Sequence, residues 1–155
     1  LDAAVFTFAY PALIASAHKG DQADFDRQMR RFMRQTMIVT AGLSAAALLC
    51  TGPLIDWLDR PSYTQQSSLV YWTVLAAALS GISMIPHYAL YALRKDRPIV
   101  VTHLLSLPIF FLGAFALIPV LGVMAVPAAM SGAFLFLLMG KHIAFKRCAP
   151  LSVSS

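Results

Sequence analysis

Three ionisable side chains lie inside or at the edge of long apolar segments: Asp2, His87 and His103. Titratable groups are costly in hydrocarbon, so such residues often line a solute pathway or relay protons. Asp2 precedes Ala17, the end of its apolar segment, by a distance of about 22 Å along a helix. We expect Asp2 either to face a water-filled cavity and contact a substrate or cation, or to lie among the outer headgroups.

The two histidines are predicted to lie at a similar depth, because both are close in sequence to the short basic segment 94–97. They belong to consecutive antiparallel helices, and each is about 10 Å inside the end of its helix. Their rings are therefore able to meet. One interpretation is a proton relay or a polar gate. The other is two ordinary interfacial histidines, each bonded to a backbone carbonyl.

Other chemistry is not indicated. The two cysteines, Cys50 and Cys148, have neither the spacing of a metal site nor that of a disulfide framework. The sequence contains no GxSxG, P-loop or HExxH motif. We therefore predict that the protein is not an enzyme, with no catalytic residues, no metal site and no cofactor.

The composition indicates a membrane protein. Hydrophobic residues make up 59% of the 155 residues and charged residues 12%, about half the charged fraction of a typical soluble domain. The net charge of +5 comes from short basic clusters between apolar segments, which fits membrane topology and not a nucleic-acid groove. A bilayer core of about 30 Å requires roughly 20 apolar residues per helix.

These lengths predict an all-α, polytopic transmembrane helix bundle. The predicted segments are about five spans (1–17, 36–55, 69–93, 99–118 and 123–143), an interfacial helix at about 21–34, and a cytoplasmic tail at 148–155. The interfacial helix has one apolar face, formed by Phe25, Met29, Phe32 and Met33. Such a helix is expected to lie in the headgroup plane; an ordinary solvated linker helix is the alternative.

The distribution of basic residues predicts the orientation. Eleven of the twelve lie on alternate connections: Lys19, Arg27, Arg30, Arg31 and Arg34; then Arg94, Lys95 and Arg97; then Lys141, Lys146 and Arg147. Because basic residues stay on the cytoplasmic side, these connections and the C-terminus are predicted to be cytoplasmic. Small residues four apart, above all Ala125, Ala129 and Ala133, predict close helix contacts.

Short motifs are spread in order over most of the chain. They are Lys19-Gly20-Asp21 with Phe25 and Arg30-Arg31, Gly52-Pro53-Leu54-Ile55, Pro61-Ser62-Tyr63, Leu117-Ile118-Pro119 and Gly122-Val123. With these motifs the chain resembles the C-terminal fragment of a polysaccharide flippase. These are the O-antigen and exopolysaccharide exporters of the multidrug/oligosaccharidyl-lipid/polysaccharide superfamily. Ala125 and Val126 depart from that family's last motif, which has Gly and Ala there.

The resemblance implies a two-lobed helical transporter of the cell inner membrane, with a central cavity that Asp2 would border. Its substrate would be a lipid-linked oligosaccharide or polysaccharide repeat unit, moved across the bilayer by alternating access. Glycan polymerase or other assembly proteins are further expected partners; nucleic acid is not. Two alternatives stay open: a cation antiporter of the multidrug and toxin extrusion type, and a non-transporting membrane scaffold of glycan assembly.

Overall fold

The computed structural model describes residues 14, 22–58 and 67–148. Within these ranges the chain is helical and contains no strand, which confirms the all-α prediction for this part. The long helices are α1 (Gln22–Leu58), α2 (Ser68–Ala92), α3 (Asp96–Leu121) and α4 (Ala125–Cys148). A short 3-10 helix, Gly122–Met124, joins α3 to α4. Asp2 and most of the predicted span 1–17 lie outside the described residues.

Three helical stretches are long and apolar enough to cross a membrane: Ala23–Leu58, Ser68–Ala92 and Asp96–Cys148. The third has 53 residues and would be about 80 Å long if it were straight. It reverses at Gly122, so α3 and α4 pack side by side as an antiparallel pair. The described residues therefore show three such stretches, whereas the sequence predicted about five spans. The third stretch contains two of the predicted spans.

The first long helix differs from the prediction of two separate segments. α1 runs for 37 residues without interruption, about 55 Å, and joins the predicted interfacial helix to the predicted span 36–55. Its first half contains neither Gly nor Pro and is rich in Arg, Gln and Met, which favour helix. The charged part of α1 therefore continues the axis of the apolar part.

The apolar face at the start of α1 packs against the end of α2. Phe32 meets Tyr88 edge to face, with ring centroids 5.9 Å apart. Phe25 is buried against Ala92. Since early residues of α1 meet late residues of α2, the two helices are antiparallel. The face that the sequence assigns to lipid headgroups is thus covered partly by protein.

Small residues are frequent in the interior of the bundle, and many large apolar side chains point outward. Ala125, Ala129 and Ala133 are all buried, as their spacing predicted. In contrast, Leu112 is 70% exposed and Phe115 72% exposed. Large exposed apolar surfaces are unfavourable in water, whereas small residues at helix contacts are typical of bundles in lipid. The packing is consistent with a membrane-embedded helix bundle.

A tight turn joins α2 to α3. The Lys95 amide donates to the Leu90 carbonyl at 2.9 Å, and the Arg94 amide donates to the Tyr91 carbonyl at 3.0 Å. These two bonds form a Schellman motif, in which Arg94 has the positive φ of 55° that glycine usually supplies. The helix directions place this turn, the start of α1 and the end of α4 at one end of the bundle, here called the basic end.

Candidate functional site

His87 of α2 and His103 of α3 face each other across the helix interface. Their ring centroids are 5.8 Å apart, and the ring planes are nearly perpendicular at 88°. The short α2–α3 turn and the fixed rise per residue bring the two side chains to one depth, as the sequence predicted. Their assignment to a substrate cavity stays a prediction.

The hydrogen bond of His103 identifies its tautomer. Its Nδ1 lies 2.8 Å from the Ile99 carbonyl oxygen. A carbonyl oxygen can only accept, so Nδ1 carries the hydrogen and donates it. In the neutral ring, Nε2 is then left with an acceptor lone pair. His103 therefore has the carbonyl bond that the second interpretation of the sequence expected.

His87 has a different environment. Its Nδ1 is buried and has no hydrogen-bond partner among the residues the structure describes. The ring packs edge to face on Tyr88, with centroids 5.4 Å apart. No backbone carbonyl in the described ranges fixes its tautomer through Nδ1, so that nitrogen is available to another ligand.

Lys141 of α4 is the functional candidate that the sequence pattern missed. Its residue is 0% exposed, and its Nζ has no hydrogen-bond partner within the described ranges. From the sequence, Lys141 is grouped with Lys146 and Arg147 as a basic residue at the cytoplasmic end of the last helix. The helical spacing could have predicted that Lys141 is buried, because Lys141 continues a buried row that has one residue at every fourth position. The row is Ala125, Ala129, Ala133, Leu137 and Lys141.

The contact between α3 and α4 explains why Lys141 comes near the histidines. Gly140 and Thr102 are so close that a Cβ on Gly140 would be 2.8 Å from the Thr102 Cγ2. Lys141 and His103 follow these two residues directly in sequence. His87 is within electrostatic reach of both Lys141 and His103. We call His87, His103 and Lys141 the basic cluster; α2, α3 and α4 each contribute one member.

Two features surround the basic cluster. A cavity of about 200 Å³ lies at the basic end, lined by Ile14, Tyr91, Ala92, Arg94 and Asp96. Tyr91 is one helical turn beyond His87 on α2, so the cavity is nearer the basic end than the cluster is. Asp96 also exerts an electrostatic influence on His87. The described residues contain no group of three side chains suited to a metal ion.

A second pair of buried polar groups lies between α1 and α2. Thr36 and Thr40 are buried, and their hydroxyls have no partner in the described part of the chain. Thr51 and Thr73, in contrast, donate to the carbonyl four residues earlier, as helical threonines commonly do. Gly81 of α2 makes room for Thr40, whose Oγ1 would be 3.1 Å from a Cβ at that glycine.

The described part of the chain is all-helical, with apolar helices of membrane-spanning length and a basic cluster in which Lys141 is buried, His87 is half-buried and His103 is exposed. Comparison of the chain with models of protein families, with curated proteins and with solved structures finds no match. The flippase resemblance accordingly stays a prediction based on the sequence motifs.

Proposed function

We propose that this protein acts as a membrane transporter that translocates a lipid-linked oligosaccharide or polysaccharide repeat unit across the inner membrane by alternating access. The observation that carries the proposal is the basic cluster. Ionisable residues inside membrane helices are expensive and commonly mark substrate or proton pathways. A purely structural bundle gains little from Lys141, because replacing buried ionic groups with apolar residues is often neutral or stabilising.

The chemistry of the cluster favours an anionic or polar solute over a cation. A cation antiporter requires carboxylates that bind and release its solute. α2 and α4 contain no Asp or Glu, and the only one in α3 is Asp96, in its first turn. The ammonium of Lys141 would repel a cationic drug. For this reason we place the multidrug and toxin extrusion type second.

The helices α2 and α3 also contain internal prolines, which favour the helix bends found in transporters that alternate between two states. Pro86 lies inside α2, next to His87, and Pro108 lies inside α3. A proline removes one backbone hydrogen bond and favours a bend at its position. Broken or bent helices near polar groups are a recurrent feature of transporters that alternate between two states.

The test is deletion of the gene in its native host, followed by complementation with the intact protein. A transporter predicts that surface glycan is lost while lipid-linked repeat units accumulate on the cytoplasmic side. A scaffold predicts that the repeat units are not assembled, and a drug antiporter predicts sensitivity to cationic toxins with normal surface glycan. Normal surface glycan in the deletion strain would contradict the proposal.

A matched pair of variants tests whether glycan export depends on the basic cluster. We expect Lys141→Met to reduce surface glycan in the complemented strain, because it removes the buried ammonium and keeps the side-chain length. Lys146→Met is the control, since Lys146 is exposed on the same helix. Membrane levels of both variants are compared with wild type by immunoblot.

A further inference from the structure

We propose that the basic cluster binds a phosphate oxyanion. The ligand would be bound by the Lys141 ammonium and by Nδ1 of His87, beside the His103 ring. This proposal concerns binding at a particular site, and it does not depend on which solute the protein transports.

The first argument is the burial of Lys141. An ammonium group removed from water is strongly unfavourable unless a counter-charge and hydrogen-bond acceptors replace the water. Lys141 is 0% exposed, and its Nζ finds no acceptor among the described residues. A buried water would satisfy hydrogen bonds without neutralising the charge. An anion does both.

The second argument is that nitrogens unpartnered within the described part of the chain come from two separate helices, Lys141 Nζ on α4 and His87 Nδ1 on α2. His87 Nδ1 is buried and without a partner in the described ranges, and His103 lies 5.8 Å away, centroid to centroid. A tetrahedral oxyanion presents several acceptor oxygens in different directions, and charge-assisted bonds to it are the strong kind. A metal cation would be repelled by the ammonium of Lys141.

The depth of the cluster indicates where the ligand comes from. His87, His103 and Lys141 are each five to seven residues from the basic end of their helices, about 7–10 Å. α2 has 25 residues, about 37 Å, so its ends extend a few ångströms beyond a 30 Å hydrocarbon core. The cluster thus lies just inside the level of lipid phosphates. Both a lipid headgroup phosphate and a phosphate from the aqueous phase are within reach.

The His103 tautomer limits what that ring can donate to an anion. Its Nδ1 already donates to the Ile99 carbonyl, so Nε2 can donate to an anion only when the ring is protonated. The donors that the proposal rests on are therefore Lys141 Nζ and His87 Nδ1.

The experiment uses the intact protein purified in dodecyl maltoside, an uncharged detergent without phosphate. Inorganic phosphate and short-chain phosphatidylglycerol are titrated separately, and binding is measured by calorimetry and by the rise in thermal midpoint that a ligand of the folded state produces. Sodium chloride at equal ionic strength is the control for screening. A saturable response to phosphate identifies an aqueous source, and one to phosphatidylglycerol alone identifies a lipid source; either supports the site.

Lys141→Met is expected to weaken binding roughly ten- to a hundredfold, the usual effect of losing a charged hydrogen-bond partner. Lys146→Met should bind like wild type. His87→Gln should also weaken binding, because it removes the buried ring nitrogen, whereas His142→Gln, on the exposed side of α4, should bind like wild type. If Lys141→Met cannot be purified, His87→Gln takes its place, with an expected loss of affinity.

Two results would overturn the site: no saturable binding of either probe by the wild-type protein, or equal affinities in wild type and Lys141→Met. Neither measurement requires transport. A failure of binding therefore rejects the oxyanion site alone, and the glycan phenotype of the deletion strain tests the transporter separately.

Discussion

Gly140 of α4 is in such close contact with Thr102 of α3 that a Cβ on the glycine would be 2.8 Å from the threonine Cγ2. Thr102 is buried, and its hydroxyl donates to the Pro98 carbonyl at 2.8 Å. The side chain therefore cannot rotate away without breaking that bond. This contact sets the distance between α3 and α4 at the depth of the basic cluster.

We predict that Gly140→Ala lowers the stability of the protein. The added methyl group overpacks the α3–α4 interface, which typically costs about 1–3 kcal/mol. Adding Thr102→Ser should restore most of the loss, because serine lacks the clashing methyl and keeps the hydroxyl. The measurement is the thermal midpoint in detergent. Gly132→Ala, on the same helix with nothing within 4 Å of its Cβ position, is the control and should be neutral or slightly stabilising.

Gly122→Ala is predicted to destabilise the protein for a different reason. Gly122 has φ 56° and ψ −127°, a conformation unfavourable for a residue with a Cβ, although no atom lies within 4 Å of the Cβ position. The expected loss is about 1–2 kcal/mol of backbone strain. Gly42→Ala, in the middle of α1 with equally open surroundings, should not lower the thermal midpoint. Equal midpoints for wild type and Gly122→Ala would contradict the strain.

The predicted orientation is tested by cysteine labelling. In a background where Cys50 and Cys148 are replaced by serine, a cysteine at Ser62 should react with an impermeant thiol reagent added to intact cells. A cysteine at Asp96, in the first turn of α3, should react only after the membrane is opened. Ser62 lies outside the described residues, and its position is predicted from the sequence. The reverse labelling pattern would invert the topology.

Asp2→Asn tests the remaining sequence-based site candidate. We expect the variant of the intact protein to insert normally and to reduce glycan export, because a carboxylate facing a cavity loses its charge. Surface glycan is measured against membrane protein level, with Asp59→Asn as a control at a predicted outer turn. Unchanged export would place Asp2 among the headgroups, the alternative that its sequence position also allows.

The position of the histidine pair could be predicted because it depends on local quantities. A short turn and a rise of 1.5 Å per residue determine the relative depth of His87 and His103. The row of alanines on α4 was predictable for the same reason, since helical spacing alone determines which residues share a face.

Features that depend on tertiary contacts were not predictable in this way. A lysine close to a helix end commonly extends to the interface, and only the packing of α3 and α4 places Lys141 inside. Likewise, Phe25 and Phe32 have the spacing of a headgroup-facing surface, but the end of α2 covers them. The sequence pattern identifies an apolar face, and the neighbour that covers it is a property of the assembled bundle.

The three-residue connection between α3 and α4 has a consequence for how the protein is made and handled. Because three residues leave no room for a polar loop between α3 and α4, we expect the two helices to enter the bilayer together as one helical hairpin. In such a hairpin the connection would extend very little beyond the membrane surface. Proteases and antibodies would have little exposed chain to bind there, and an epitope tag would have to be inserted at another position.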